Sequence, residues 1–178
     1  MNKTTAIQRL AKYDKQGRYV FTNADLNKIF YEDSQRAIRA GIKRLVDTSI
    51  LVRVSNGVYV NNLAQSKDSH LLETIAKTIR RGEYNYVSLE SALSEYGAIS
   101  QIPIDRLTVM TTGRKGEYKT PFGTIEFTHT KRSPNNILDH ANNIGRPLRF
   151  ASKMSAYRDL KRVGRNTHLV EENVLNED

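Results

Sequence analysis

The sequence predicts an α+β protein, with an N-terminal winged helix-turn-helix followed by a mixed domain of helices packed on a small antiparallel sheet. From Thr22 to Val60, two short helical patterns precede two β-prone runs joined at Asn56-Gly57. Between Arg106 and Thr130, apolar and polar residues alternate with the period of two that a strand imposes. Residues 61–69 are polar and poor in β-branched side chains, the composition of a boundary. The expected domains are residues 1–62 and 70–178.

Thr4 or Thr5 is the expected cap of a first helix over Ala6–Lys12, with Ile7, Leu10 and Ala11 on its apolar face and Gln16-Gly17 at its end. Tyr19-Val20-Phe21 is a short β-prone run. Thr22 or Asn23 caps a second helix to Phe30, with Leu26, Ile29 and Phe30 facing inward, and Tyr31-Glu32-Asp33 is the turn. Ser34 caps a third helix, Gln35 to Thr48. At about 100° per residue, Ala37, Ile38, Gly41, Ile42 and Leu45 form one stripe, while Arg36, Arg39, Ala40, Lys43 and Asp47 lie opposite, with Gln35 and Arg44 at the edges. Ile50–Val54 and Val58–Val60 then flank Ser55-Asn56-Gly57, where an Asn-Gly pair suits a type I′ turn with positive φ at both central residues.

In the second domain, His70–Arg81 is an expected helix with Leu71, Leu72, Ile75 and Ile79 on one side. Ser88 caps Leu89–Tyr96, and Gly97 takes the position after the helix. Arg106–Thr112, Glu117–Thr120 and Thr124–Thr130 are three strands, turning at Gly113–Gly116 and at Pro121-Phe122-Gly123. Ser133-Pro134 opens a short helix to Asn142, Ser152–Val163 is the last helix, and the tail from Gly164 is expected to be loose.

The 178 residues include no cysteine, which excludes disulfides and Cys-based metal sites and fits a reducing compartment. No apolar run reaches the ~18 residues of a membrane span, and the start Met1-Asn2-Lys3-Thr4-Thr5 lacks the apolar stretch of a secretory signal. A cytoplasmic protein with no membrane partner is expected. The formal charge is +9, from 28 Lys+Arg against 19 Asp+Glu. Residues 1–62 hold 11 basic and 5 acidic residues, 63–133 hold 10 and 8, and 134–178 hold 7 and 6. The excess therefore sits where the helix-turn-helix is expected, and it favours a polyanionic partner through counterion release.

Double-stranded DNA is that expected partner. A helix anchored by one face presents Arg36, Arg39 and Lys43 outward, with Gln35 at the edge, to read a major groove. Lys28, Arg44 and Arg53 are the expected phosphate holders, and Ala40 lies where a thymine methyl would be met. The competing readings are a solvated helix face, a plain structural hairpin, or a module that docks protein or RNA. His70, His129, His140 and His168 include no pair at metal-ligand spacing, so neither metal nor cofactor is expected. Ser88-x-x-Ser91 is no nucleophile elbow, and Gly113-x-x-Gly116 is too short for a phosphate-binding loop. No acid, base and nucleophile assemble, and no enzyme is expected. Arg146, Arg149, Lys153, Arg158, Lys161, Arg162 and Arg165 are countered between residues 146 and 165 by Asp159 alone, ahead of Glu171, Glu172, Glu177 and Asp178. They form either a solvated face neutralised by the tail or a second nucleic-acid or partner surface.

Tyr86-Val87-Ser88-Leu89-Glu90-Ser91-Ala92-Leu93 through Gly97, then Thr108-Val109-Met110-Thr111-Thr112-Gly113-Arg114, then Phe122-Gly123-Thr124-Ile125-Glu126-Phe127-Thr128-His129 resemble the AbiEi family of antitoxins of bacterial type IV toxin–antitoxin systems. The order of motifs matches over about residues 5–160, but the sequence departs from the family where relatives carry an Ala-Ser-Pro-Glu-Lys-Ala-like segment, reading Ala151-Ser152-Lys153-Met154-Ser155-Ala156 instead. The resemblance implies an N-terminal domain that binds inverted repeats in its own promoter and represses its operon. It also implies a C-terminal domain that counteracts a nucleotidyltransferase-like toxin. Inverted repeats favour two copies on DNA, so a dimer there is expected. A winged-helix regulator without a toxin partner is the rival expectation.

Overall fold

Asn2, rather than Thr4 or Thr5, opens the first helix. Its side-chain oxygen accepts from the Thr4 amide at 2.8 Å, which lets α1 run from Lys3 to Asp14. This computed structural model describes residues 1–100 and 104–177, and the chain divides after Ile79 into two compact units. Among the described residues the fold is α+β, with eight α-helices, one short 3-10 helix and two sheets.

In the first unit α1 is followed by β1 (Val20–Thr22), α2 (Asn23–Ile29), α3 (Gln35–Asp47), β2 (Leu51–Ser55), β3 (Val58–Asn61) and α4 (Leu71–Ile79). Thr22 and Asp25 form a reciprocal capping box at the start of α2, with each side chain accepting from the other's backbone N–H at 3.1 and 2.9 Å. Ser34 accepts from the Ala37 amide and starts α3. Ile38, Gly41, Ile42 and Leu45 are buried, as the periodicity predicts, in a core with Ala6, Leu10, Leu26, Ile29, Phe30 and Leu51. Met1 occupies the space a side chain on Gly41 would need.

The sheet order is β1-β3-β2, antiparallel throughout. The hairpin loop departs from the type I′ expectation. Gly57 has φ of 70°, Asn56 keeps a negative φ, and the register slips between Arg53 and Ser55. This is the bulged three-residue loop, in which a single glycine takes the left-handed position. Two contacts hold it: Arg53 donates to Asn56 Oδ1 at 3.1 Å, and the Gly57 carbonyl accepts from the Asn23 amide at 2.9 Å.

The expected domain limits, 1–62 and 70–178, are corrected by α4, which belongs to the first unit. Ile75 and Ala76 are fully buried, α4 packs on β1 and β3, and the Tyr19 hydroxyl donates to Thr74 at 3.2 Å. The polar stretch before α4 is fastened rather than free. Asp14 accepts from the amides of Gln65 and Ser66 at 2.8 and 3.0 Å. The Ser66 hydroxyl is the main cause that holds the Asp14 carboxyl below its ordinary value.

The second unit runs β4 (Asn85–Val87), α5 (Leu89–Glu95), β5 (Arg106–Thr111), β6 (Gly116–Thr120), β7 (Gly123–His129), α6 (Pro134–His140), β8 (Ala141–Asn142), β9 (Arg149–Ala151), α7 (Lys153–Val163), a 3-10 turn (Thr167–Leu169) and α8 (Glu172–Leu175). Its six-stranded sheet has the order β6-β7-β5-β4-β9-β8 and is mixed, since β5 pairs with β7 and β4 with β9 in parallel. That corrects the small antiparallel sheet. Gly113–Gly116 is no hairpin turn: the chain passes to the sheet edge as β6 and returns through Pro121-Phe122 as β7. Arg80 holds the crossing, donating from Nε and Nη2 to the Arg114 carbonyl at 3.1 and 2.9 Å while lying 4.4 Å from the Phe127 ring centre. Residues 141–142 pair with β9, which ends α6 at His140 rather than Asn142.

Ser88 stands at the start of α5 but does not cap it. Its hydroxyl donates instead to buried Asp159 at 2.8 Å, and Leu89 takes the left-handed conformation with φ of 58°. The tail from Gly164 is fastened, not loose. Arg165 pairs with Glu90 at 2.7 Å and also with Glu126, while Lys153 donates to the Val174 carbonyl at 2.6 Å. Asp178 lies outside the described residues.

Candidate nucleic-acid interface

One flank of α3 is buried and the other is open. Gln35, Arg36, Arg39, Ala40, Lys43 and Arg44 are all exposed, while the core residues lie behind them. Between this open flank, α2 and the β2–β3 hairpin runs a groove of about 420 Å³. It is lined by Asn23, Asn27, Gln35, Arg39, Ile42, Lys43, Val46, Arg53 and Tyr59. Four of the seven residues singled out from the sequence therefore meet here: Gln35, Arg39, Lys43 and Arg53. Arg53 stays exposed on β2, its guanidinium turned along the hairpin loop.

The other three lie elsewhere. Arg36 is exposed, about 60° around α3 from Arg39, and is not among the groove-lining residues. Arg44 sits toward α1, where it donates to the Met1 carbonyl at 3.2 Å beside a smaller cavity of about 200 Å³. Lys28 is exposed on α2 away from the groove lining. Besides Gln35, three polar groove residues carry no charge signal in the sequence: Asn23, Asn27 and Tyr59. A trace of them was present in the spacing, since Asn23 and Asn27 stand four apart and so share one face of α2.

The electrostatic setting is one-sided. The acids nearest the start of α3 have cationic partners from α1 and the residue ahead of its cap: Glu32 pairs with Arg9 at 2.6 Å, and Asp33 with the Met1 amine at 3.3 Å. The hydrogen bond from Arg9 holds Glu32 below the ordinary carboxylate range. Asp25 is buried in its capping box. Among the described residues no carboxylate lines the groove, and none pairs with Lys28, Arg36, Arg39 or Lys43.

The cluster between residues 146 and 165 is different. Arg146 pairs with Glu95 at 2.6 Å, Arg149 donates to the Ala141 carbonyl at 3.0 Å, and Lys153 and Arg165 tie down the tail. Asp159 turns inward and accepts from Tyr86 at 2.9 Å, Ser88 at 2.8 Å and Arg132 at 3.1 Å. Burial pushes the Tyr86 phenol well above its ordinary value, and the Asp159 charge adds to it. Arg158, Lys161 and Arg162 are left exposed on α7, Lys161 lying over the Tyr157 ring.

The histidines are spread apart. His70 pairs with Glu73 at 3.2 Å, while His129 and His140 meet the carbonyls of Gly113 and Asn136. Among the described residues, no group of three or more His, Asp or Glu is placed to hold a metal, and no helix is long and apolar enough to cross a membrane.

Fold and surface together define a two-unit α+β protein with a cationic helix-and-hairpin groove on its first unit. The chain belongs to DUF6088, a family of unknown function whose model matches residues 6–170. No curated protein and no solved structure is significantly similar to it.

Proposed function

We propose that Met1–Ile79 is a winged helix that binds double-stranded DNA, with α3 as its recognition helix and the β2–β3 hairpin as its wing. One observation carries this reading: Arg36, Arg39 and Lys43 stand exposed and unneutralised on a helix whose opposite flank is locked into a core. A helix so anchored enters the major groove of B-form DNA. The deep, narrow major groove of an RNA duplex does not admit it. The resemblance to AbiEi antitoxins extends the proposal. The chain represses its own operon from inverted repeats as a dimer on DNA, acts in the cytoplasm without catalysis, and counteracts a nucleotidyltransferase-like toxin.

An electrophoretic shift on the duplex upstream of the gene tests DNA binding. The parent chain shifts it, and Arg36→Ala with Arg39→Ala weakens binding strongly, because each base-reading arginine contributes about 1–3 kcal/mol. Equal affinity of parent and double variant defeats the proposal. Growth on co-expression with the neighbouring gene tests the antitoxin role. Rescue supports it, while growth arrest that the chain does not relieve leaves a regulator without a toxin partner.

A further inference from the structure

We infer that the groove between α3, α2 and the hairpin holds one phosphodiester strand of the duplex, and that Asn23 and Asn27 position it beside Arg39, Lys43 and Arg53. This rests on the DNA reading of the same face and redistributes its work. Arg39 and Lys43 become backbone holders, and base reading falls to Arg36, which is exposed outside the groove lining.

The groove's chemistry matches a strand backbone rather than a base edge. Its rim offers donors only where charge is concerned: two guanidinium groups and one ammonium, with no lining carboxylate among the described residues. The amides of Asn23, Asn27 and Gln35 add neutral donors, and among the described residues none of these side chains has a hydrogen-bond partner. Ile42, Val46 and Tyr59 form a floor of carbon. A DNA strand alternates anionic phosphates with apolar sugar faces, and side-chain amides, arginine and lysine are the usual donors to its phosphates. The lining thus offers both kinds of surface, cations and amides for phosphates and apolar side chains for sugars. The width is set within the first unit, because the Asn23 amide is bonded to the Gly57 carbonyl and ties the hairpin loop to α2. Arg36 is exposed on the first turn of α3 and is not among the groove-lining residues, so it remains available to bases while the strand lies in the groove.

The test compares affinity for the upstream duplex and for an unrelated duplex across a salt series. The full chain is used as the parent, Asn27→Asp, Lys43→Gln and Arg36→Ala. Asn27→Asp places a carboxylate against the strand and lowers both affinities by the same factor, at least about tenfold at low salt. Lys43→Gln lowers both equally and reduces the salt slope by about one. Arg36→Ala lowers affinity for the upstream duplex far more than for the unrelated one. Asn27→Lys, which keeps the inference testable if the acidic variant folds poorly, strengthens both and steepens the slope by about one. A parent that binds neither duplex overturns the DNA reading and this inference together. A parent that binds, with Asn27→Asp and Asn27→Lys both neutral or altering only the ratio of the two affinities, overturns this inference alone. So does saturable binding of inorganic phosphate that Asn27→Asp abolishes while duplex affinity stays unchanged.

Discussion

Arg39 and Arg165 carry the same guanidinium into opposite surroundings. Arg165 is wrapped by Glu90 and Glu126, and neighbouring Arg106 shares Glu126 and adds Glu117. Arg39 faces a groove with no carboxylate partner. In the second unit most arginines serve the fold: Arg80 stitches a crossing, Arg132 neutralises a buried acid and Arg146 pairs with Glu95. Along the open flank of α3 the cations stand three or four residues apart, where like charges cost a few tenths of a kcal/mol each. Among the described residues no carboxylate pairs with Arg36, Arg39 or Lys43 to offset that cost, whereas the phosphates of the proposed duplex would. Formal charge alone does not separate these cases; the partners of each cation do.

The strongest way to break the contrast is to remove an acid that an arginine of the second unit depends on. Asp159 is 1% exposed and accepts from Tyr86, Ser88 and Arg132. Asp159→Ala leaves a largely buried guanidinium and two hydroxyls without their acceptor, a loss of about 3–5 kcal/mol. Urea denaturation reads it. DNA affinity per folded molecule stays at the parent value, because no groove residue touches this cluster. A variant as stable as the parent would show that Asp159 is not what holds the β4, α6 and α7 regions together.

A smaller effect sharpens the same contrast through pH. Burial alone would raise the Glu126 carboxyl, but hydrogen bonds from Arg165 and Arg106 outweigh it and hold the group below its ordinary value. A carboxyl that titrates lower when folded contributes fully above the unfolded value of about 4.3. That contribution disappears as pH falls through the lower folded value. Glu126→Gln therefore destabilises the second unit by about 1–2 kcal/mol near pH 7, and the gap to the parent narrows below about pH 4. Denaturation midpoints measured from pH 7 to pH 3 decide it. A gap that stays constant across that range would assign the loss to shape rather than charge.

What could be read beforehand follows the range of the interaction. Ser34, Thr22 and the buried stripe Ile38, Gly41, Ile42 and Leu45 are visible because a cap and a helical period act within a few residues. The cationic flank of α3 follows from the same period. Ser88 looked like a cap because nothing nearby reveals an acceptor 71 residues away. The sheet order was hidden for a similar reason. β5, β6 and β7 read equally well as a meander with β6 in the middle, and only the path of β6 to the edge makes β5 and β7 parallel partners. β4, β8 and β9, at two or three residues, are too short for an alternation to register. In the groove, arginines were legible by charge, whereas Asn23 and Asn27 needed the position of the hairpin to acquire a role.

The smallest expected effect is on DNA affinity, and it falls where hairpin and α2 meet, on the side of the comparison left open to solvent. Gly57 has φ of 70°, and a β-carbon built there would stand 2.8 Å from the Asn23 side-chain nitrogen. That nitrogen ends a rotatable side chain, so the clash is relieved by movement of Asn23, whereas the left-handed backbone is not relieved. Gly57→Ala therefore costs about 1–2 kcal/mol through the backbone. The swing of Asn23 removes one amide from the groove, and affinity for the upstream and unrelated duplexes falls by the same modest factor. Thermal melting reads the first effect and the paired titrations read the second. Melting at the parent temperature would deny the glycine its conformational role. A change confined to the upstream duplex would place Asn23 against bases instead of the strand. If both duplexes weaken together while the second unit's acid sensitivity is unchanged, the hairpin tie serves the open groove and not the arginine clusters that hold the rest of the chain.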